Sequence, residues 1–146
     1  LWADGFARPH RDVQVVVQHG GARPPSVAQG IDYAEPDTLR AWIERAAAVV
    51  CHGGPTTIME AREAGRQPIV VPRRVRLGEH VDDHQVRFAE RVASLGRAVY
   101  PLTGQAITET VEWALSAPEV FRVVPEVQDS HRTAERLADL IRALVA

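Results

Sequence analysis

Apolar residues run unbroken in short stretches of this chain and recur every three or four positions between them. The stretch "DVQVVVQ", Asp12 to Gln18, carries four β-branched valines, three of them in a row, and is read as a strand covered on both faces. The loop "HGGARPP" breaks that run, and a short extended piece, "GIDYA", leads to Pro36. From there Leu39, Trp42, Ile43 and Ala46/Ala47 keep helical spacing, with Glu35 and Asp37 where the helix dipole favours acids. Ala48 to Cys51 predicts a second buried strand. Pro55 to about Ala64 predicts a helix, since Pro55 suits its first position and Gly65 the residue past its end. "QPIVVP", Gln67 to Pro72, predicts a third strand. The polar loop "RRVRLGEHVDDH" then runs into a helix carrying Val86, Phe88, Ala89, Val92 and Leu95, which Gly96 ends. "RAVYPL" predicts a fourth strand, Thr103 caps a helix through about Leu115, and "EVFRVVPEV" is extended. Asp129 or Ser130 caps a last helix whose apolar stripe is Ala134, Leu137, Ile141 and Leu144.

Short strands alternating with helices predict parallel βαβ units: an α/β fold with a doubly wound sheet and helices on both faces. No repeat, low-complexity tract or linker divides the chain, so residues 1–146 read as a single domain. In such sheets ligands sit beyond the carboxyl ends of the strands. The turns "QHGGARPP", "CHGGPTT" and "PRRVRLGEH" all fall at such ends. The ligand face is thus named before the ligand.

Composition narrows the choice. At 146 residues the chain can bury a real core, and its formal net charge of -2 argues against broad adhesion to nucleic acid or anionic lipid. All 17 of its Lys and Arg residues are arginine, which rules out Schiff-base chemistry and a P-loop lysine. The single Cys51 forms no internal disulfide and fits a reducing compartment. No apolar run approaches the roughly 18 residues that span a bilayer, so a cytoplasmic protein is expected. The lack of an initiator Met, with a start inside a helix-like stretch, predicts further residues upstream.

Two constellations carry chemistry. In "CHGGPTTIMEA" an apolar run breaks at His52, and Gly53 and Gly54 allow a tight turn and close approach to a ligand. The helix that starts at Pro55 then aims unpaired N–H groups and its positive end at that ligand. Thr56 and Thr57 add hydroxyls, and His52 adds a ring N–H. Glu60 lies one turn further in, where a carboxylate repels phosphate but accepts from a sugar diol. Phosphate donors with a diol acceptor one turn away suit the diphosphate and ribose of a nucleotide. The bland alternative, a tight strand–helix turn with a solvated Glu60, stays open on this stretch alone. In "GEHVDDHQ", His80 and His84 stand four apart and with Asp83 or Glu79 have the makings of a divalent-metal site. No third ligand stands at a diagnostic spacing, so polar recognition of a ligand hydroxyl by His84 and Gln85 is preferred and no metal is assigned. Arg73, Arg74 and Arg76 read first as a wet, charged loop and second as an anion contact. Cys51 and His52 are adjacent on a strand, point to opposite faces and make no nucleophile pair.

Taken together, "VVCHGGPTTIMEAREAGRQPIVVPRRVRLGEHVDDHQVRFAERVASLG" resembles the C-terminal, donor-binding domain of family 28 glycosyltransferases, with their Rossmann-like GT-B fold. The likeness extends to small stand-alone versions of that domain. These are the catalytic subunit of the two-part N-acetylglucosaminyltransferase acting on dolichol-linked sugar, and its bacterial exopolysaccharide counterparts. The resemblance implies that His52, Gly53, Gly54, Thr56 and Thr57 hold the donor diphosphate and Glu60 the ribose. It implies that His84 and Gln85 face the donor sugar, and that Tyr33 and Ala34 lie beside the base. Thr56 departs from the glycine of many relatives, and the family's opening strand with its Gly-Thr turn is absent from the chain.

The implied activity is transfer of a sugar from a UDP-sugar, such as UDP-N-acetylglucosamine, to a lipid-linked or polysaccharide acceptor, with no cofactor. The acceptor site and the general base are expected on a membrane-associated subunit or domain, which would hold the chain at the inner face of the membrane. No nucleic-acid partner is expected. Two other readings remain: a nucleotide-binding module without transferase activity, and a metal-dependent hydrolase built on His80, Asp83 and His84.

Overall fold

The computed structural model describes residues 2–73 and 84–125. Its elements run α1 (Trp2–Ala7), β1 (Val16–Gln18), β2 (Gln29–Ile31), α2 (Pro36–Arg45) and β3 (Val49–Cys51). They continue as α3 (Pro55–Glu63), β4 (Pro68–Val70), α4 (His84–Ser94) and α5 (Gly104–Ser116). The last expected helix, with Ala134, Leu137, Ile141 and Leu144, lies outside the described residues, as do His80, Asp83, Arg74 and Arg76.

Local chemistry explains where the helices start and stop. α2 opens on Pro36 with Asp37 in its first turn and closes with Arg45 in its last, both matched to the helix dipole. Gly65 adopts φ +73° and Gly96 φ +67°, the left-handed conformation that a side chain resists. Around Gly65 the Arg66 N–H donates to Ala61 O and the Gly65 N–H to Arg62 O. Around Gly96 the same pair of bonds joins Arg97 to Val92 and Gly96 to Ala93, so both helices end in a Schellman motif. α5 starts where the Thr103 hydroxyl accepts from the Ala106 N–H at 3.1 Å.

The strands pair in parallel as two separate ribbons. Val16, Val17 and Gln18 of β1 register with Gln29, Gly30 and Ile31 of β2, and Val49, Val50 and Cys51 of β3 with Pro68, Ile69 and Val70 of β4. The expected fourth strand, "RAVYPL", is shorter than its pattern suggests: Val99 alone bridges Ile69 in parallel, through two backbone bonds. Beyond it, Arg122 forms an antiparallel bridge with Arg66 just before β4.

Alternation along β4 sorts the layers. Val70 joins Cys51, Ile58 of α3, and Ala89 and Val92 of α4 in one apolar cluster. Ile69 points the other way and packs with Phe6 of α1, Val111 and Ala114 of α5, and Phe121. Helices therefore lie on both faces of the β3–β4 ribbon, as a doubly wound sheet requires. The expectation that β1 and β3 are covered on both faces is corrected: Val16 and Val17 are half-buried, and Val50 is 40% exposed. Among the described residues each of these strands pairs along one edge only, whereas β4, with neighbours on both edges, is buried throughout.

α1 is held from both ends. The Trp2 indole donates to the Thr108 hydroxyl at 3.1 Å, and His10 spans from Phe6 O (2.8 Å) to the Glu112 carboxylate (3.3 Å). Asp4 accepts from the N–H groups of Ser26, Val27 and Ala28 and from the Ser26 hydroxyl, at 2.8–3.1 Å. These bonds, the Ser26 N–H foremost, hold the Asp4 carboxyl far below the usual carboxylate range. A depressed folded-state value means that Asp4 stabilises the fold above its unfolded pKa of about 3.9 and loses that effect as pH falls from there. Asp4→Asn should therefore lower the melting temperature by several degrees at pH 7. The gap should narrow steadily in scans taken below about pH 4; a gap independent of pH would mean that the carboxylate charge is not what matters.

Candidate functional site

β3 ends at Cys51, and four residues later α3 begins. Between them Gly54 is the N-cap in an extended conformation with no side chain to cap the helix, and Pro55 holds the first helical turn. Pro55 has no N–H, so the N–H groups of Thr56 and Thr57 are the first that this helix end presents. Thr56 is exposed and Thr57 half-buried, both at the rim of the turn. Glu60 is exposed one turn further along α3, at the i+4 and i+3 positions from them, so the three share a helix face.

The two glycines are needed for close approach rather than for unusual torsion angles, since neither has a positive φ. A β-carbon on Gly53 would stand 3.0 Å from Gln85 O, 3.1 Å from Gln85 Cβ and 3.3 Å from Pro72 Cβ. Gly53 is thus the point where the start of α4 and the end of β4 close on the turn. A β-carbon on Gly54 would stand 2.7 Å from His52 Nε2, so the His52 ring folds back across the turn.

Among the described residues three groups shape the electrostatics at the turn. Burial pushes the Cys51 thiol up to about 12, so it stays protonated, in keeping with its reading as a core residue rather than a nucleophile. Desolvation, and then the nearby Arg73 charge, hold His52 below its ordinary value, so its ring is neutral at pH 7 and donates without formal charge. Arg73 brings a positive charge to this turn. It follows Pro72 directly at the carboxyl end of β4, and its N–H donates to Gln85 Oε1 at 3.2 Å. The charge run read mainly as wet loop thus begins with a residue close to His52. Its signal was position: the first arginine past a strand-ending proline on the ligand face.

Of the other expected residues, Gln85 is buried at the first turn of α4 against Gly53, with its amide oxygen committed to Arg73. His84 is exposed and opens α4. Tyr33 and Ala34 lie just past β2, on the other ribbon: Tyr33 is 75% exposed, and the Ala34 N–H donates to Gln18 Oε1 at 2.9 Å. The structure therefore gathers His52, Gly53, Gly54, Thr56, Thr57, Gln85 and Arg73 around one turn, with Glu60 on the helix face above them. Tyr33 and Ala34 stand at the corresponding strand end of the β1–β2 ribbon. Two open grooves, about 610 and 750 Å³, flank α1, and neither is lined by a residue of the β3–α3 turn. Among the described residues no group of three or more His, Cys, Asp or Glu side chains is placed to hold a metal ion.

A strand, an uncapped helix end and a facing carboxylate recur in many nucleotide sites, and comparison with known proteins decides among them. Residues 6–141 match the family described as Glycosyltransferase family 28 C-terminal domain. The chain belongs to that family. As a family 28 domain it is expected to have a GT-B-type α/β architecture, with which its parallel ribbons and flanking helices agree. It is 36% identical over 99 residues to the UDP-N-acetylglucosamine--N-acetylmuramyl-(pentapeptide) pyrophosphoryl-undecaprenol N-acetylglucosamine transferase of Stutzerimonas stutzeri (strain A1501), covering 66% of this chain and 26% of that protein. It is 37% identical over 100 residues to the enzyme of the same name from Pseudomonas syringae pv. syringae (strain B728a), with the same shares. The enzyme of that name from Azotobacter vinelandii (strain DJ / ATCC BAA-1303) is 35% identical over 99 residues, again covering 66% and 26%. The chain thus matches about a quarter of the length of these relatives. No solved structure matches it. Family membership makes it a C-terminal domain of the glycosyltransferase family 28 type. Among the described residues no helix is long and apolar enough to cross a membrane.

Proposed function

We propose that this domain holds the UDP-sugar donor while the sugar is transferred to a lipid-linked or polysaccharide acceptor. UDP-N-acetylglucosamine is the favoured donor, because it is the one named in the relatives. The observation that carries the reading is the open N-terminus of α3, at the carboxyl end of β3, with Glu60 one turn along the same face. The helix end, the hydroxyls of Thr56 and Thr57, and the close turn of His52, Gly53 and Gly54 take the diphosphate. Glu60 accepts from the ribose diol. Tyr33 and Ala34 border the base. His84 and the amide nitrogen of Gln85 meet the sugar, and Arg73 adds positive charge beside the phosphates.

In the transfer the bond between the anomeric carbon and the diphosphate oxygen breaks, and its electron pair stays on the leaving diphosphate. The acceptor hydroxyl oxygen bonds to the anomeric carbon and gives its proton to a base on the acceptor-binding half. What this domain contributes is stabilisation of the charge that grows on the diphosphate, through N–H groups already aimed at it. That needs neither a lysine nor a metal from this chain. The acceptor half belongs to a membrane-associated subunit or to another part of the same polypeptide, the former as in the two-part dolichol-linked enzyme and its exopolysaccharide counterparts. Such a partner keeps the domain on the cytoplasmic face.

The test is turnover. The domain joined with its acceptor-binding half, given UDP-N-acetylglucosamine and a polyprenyl-linked saccharide, should release UDP and extend the saccharide. UDP binding without release under any pairing would favour a nucleotide-binding module. Turnover lost to a chelator and restored by zinc would favour the hydrolase reading of His80, Asp83 and His84.

A further inference from the structure

The chain contains a second His-Gly-Gly turn, His19 to Gly21, at the carboxyl end of β1, and the donor reading gives it no task. The His19 ring is nine-tenths buried, lodged where Gly30 leaves room: a β-carbon on Gly30 would stand 2.8 Å from Pro25 Cδ and 3.3 Å from His19 Cδ2. His19 Nδ1 lies 2.9 Å from Gly20 O, an acceptor, so that nitrogen carries the proton. His19 Nε2 lies 3.3 Å from the carboxylate of Asp32, the residue before Tyr33, a contact that is attractive when this nitrogen carries a proton as well.

The backbone makes the same connection. The His19 N–H donates to Ile31 O and the Gly20 N–H to Asp32 O, each at 2.9 Å, which carries the β1–β2 pairing past the strand ends. Gln18 Oε1 accepts from the Ala34 N–H at 2.9 Å. Gly20, at φ +56°, is then the seat for the tip of Tyr33, whose hydroxyl would lie 3.0 Å from a β-carbon there. The tip of a ring that is three-quarters exposed therefore lies over Gly20, and the backbone on either side of it is tied to β1.

We propose that His19 is a positioning residue for the nucleoside side of the donor site: acting through Asp32 and Gly20, it fixes the Tyr33 ring as the platform against which the base stacks. The proposal rests on the donor reading and deepens it. An aromatic held in place stacks a base without first having to be ordered, whereas a free one is ordered at the cost of affinity.

The test is a double-mutant cycle on the full polypeptide, with UDP, ADP and inorganic pyrophosphate titrated by calorimetry. Tyr33→Ala and His19→Ala should each weaken UDP binding, roughly five- to tenfold. Both should weaken ADP binding in like proportion and leave pyrophosphate affinity unchanged. The double variant should be no worse than Tyr33→Ala, because His19 acts through that ring. Asp32→Asn, at an exposed carboxylate, should reproduce part of the His19 effect without loss of fold, which covers an unfolded His19 variant. Equal losses for UDP and pyrophosphate, or losses that add in the double variant, would overturn the proposal while the donor reading stands. Wild-type protein that fails to bind UDP would overturn the donor reading, and this proposal with it.

Discussion

Phe121→Ala should cost about 3–5 kcal/mol, the range for emptying a buried phenylalanine site. Phe121 is 2% exposed and sits in the cluster of Phe6, Ile69, Val111 and Ala114, with its ring edge-on to Trp113 at 5.0 Å. Its neighbours come from α1, β4 and α5, so the cavity cannot close by the shift of one element. A domain of this kind has roughly 5–15 kcal/mol of stability in total, so the variant stands near the edge of unfolding. Denaturant titration read by far-UV circular dichroism gives the loss directly. Tryptophan fluorescence should change as well, because Trp113 loses its aromatic neighbour. The site should be spared: Phe121 O accepts from the Gln67 N–H before β4, whereas the β3–α3 turn lies past the other end of that ribbon. The folded fraction should therefore keep the wild-type nucleotide affinity. A loss under about 1.5 kcal/mol, the size of a volume-conserving swap, would mean that the site collapses easily and that Phe121 is not the anchor of this face.

What the sequence showed and what it hid divide along a physical line. Features set within one turn of chain were legible: the left-handed glycines at 65 and 96, the Thr103 cap, and Pro36 and Pro55 in first turns; the parallel pairing was legible too, because the order of strands and helices leaves little other choice. Features set by contacts across the fold were not. Gly53 read as a ligand glycine, yet its missing side chain also makes room for Gln85, 32 positions on, and for Pro72. Gln85 read as a sugar contact, yet its amide oxygen is spent on Arg73. Asp4 drew no reading from the sequence, because nothing nearby in sequence announces three N–H donors at positions 26 to 28. The β-branched runs of β1 and β3 spoke for strands but not for their cover, which depends on how many neighbours each strand has. Periodicity reports what a residue prefers, and burial reports what the rest of the chain supplies.

Glu60→Ala should weaken UDP binding by roughly ten- to a hundredfold, the loss expected when a charged acceptor of a hydroxyl pair is removed. The opposing effect is smaller. A carboxylate about 7 Å from a phosphate charge repels it by about 0.6 kcal/mol in water, and salt screens that further. If Glu60 were merely a solvated acid of an early helix turn, its removal would leave UDP binding unchanged or slightly improved. The two readings of the opening turn of α3 thus predict opposite signs. Ligand truncation locates the cause. Wild-type protein should lose affinity for 2′-deoxy-UDP, and Glu60→Ala should not distinguish it from UDP, because the group that reads the 2′-hydroxyl is gone. Inorganic pyrophosphate, which has no ribose, should bind the variant at least as well as the wild type. Calorimetry on the three ligands therefore separates loss of ribose recognition from damage to the turn: a variant that also loses pyrophosphate has a disturbed helix end, and one that loses nothing leaves Glu60 without a ligand role.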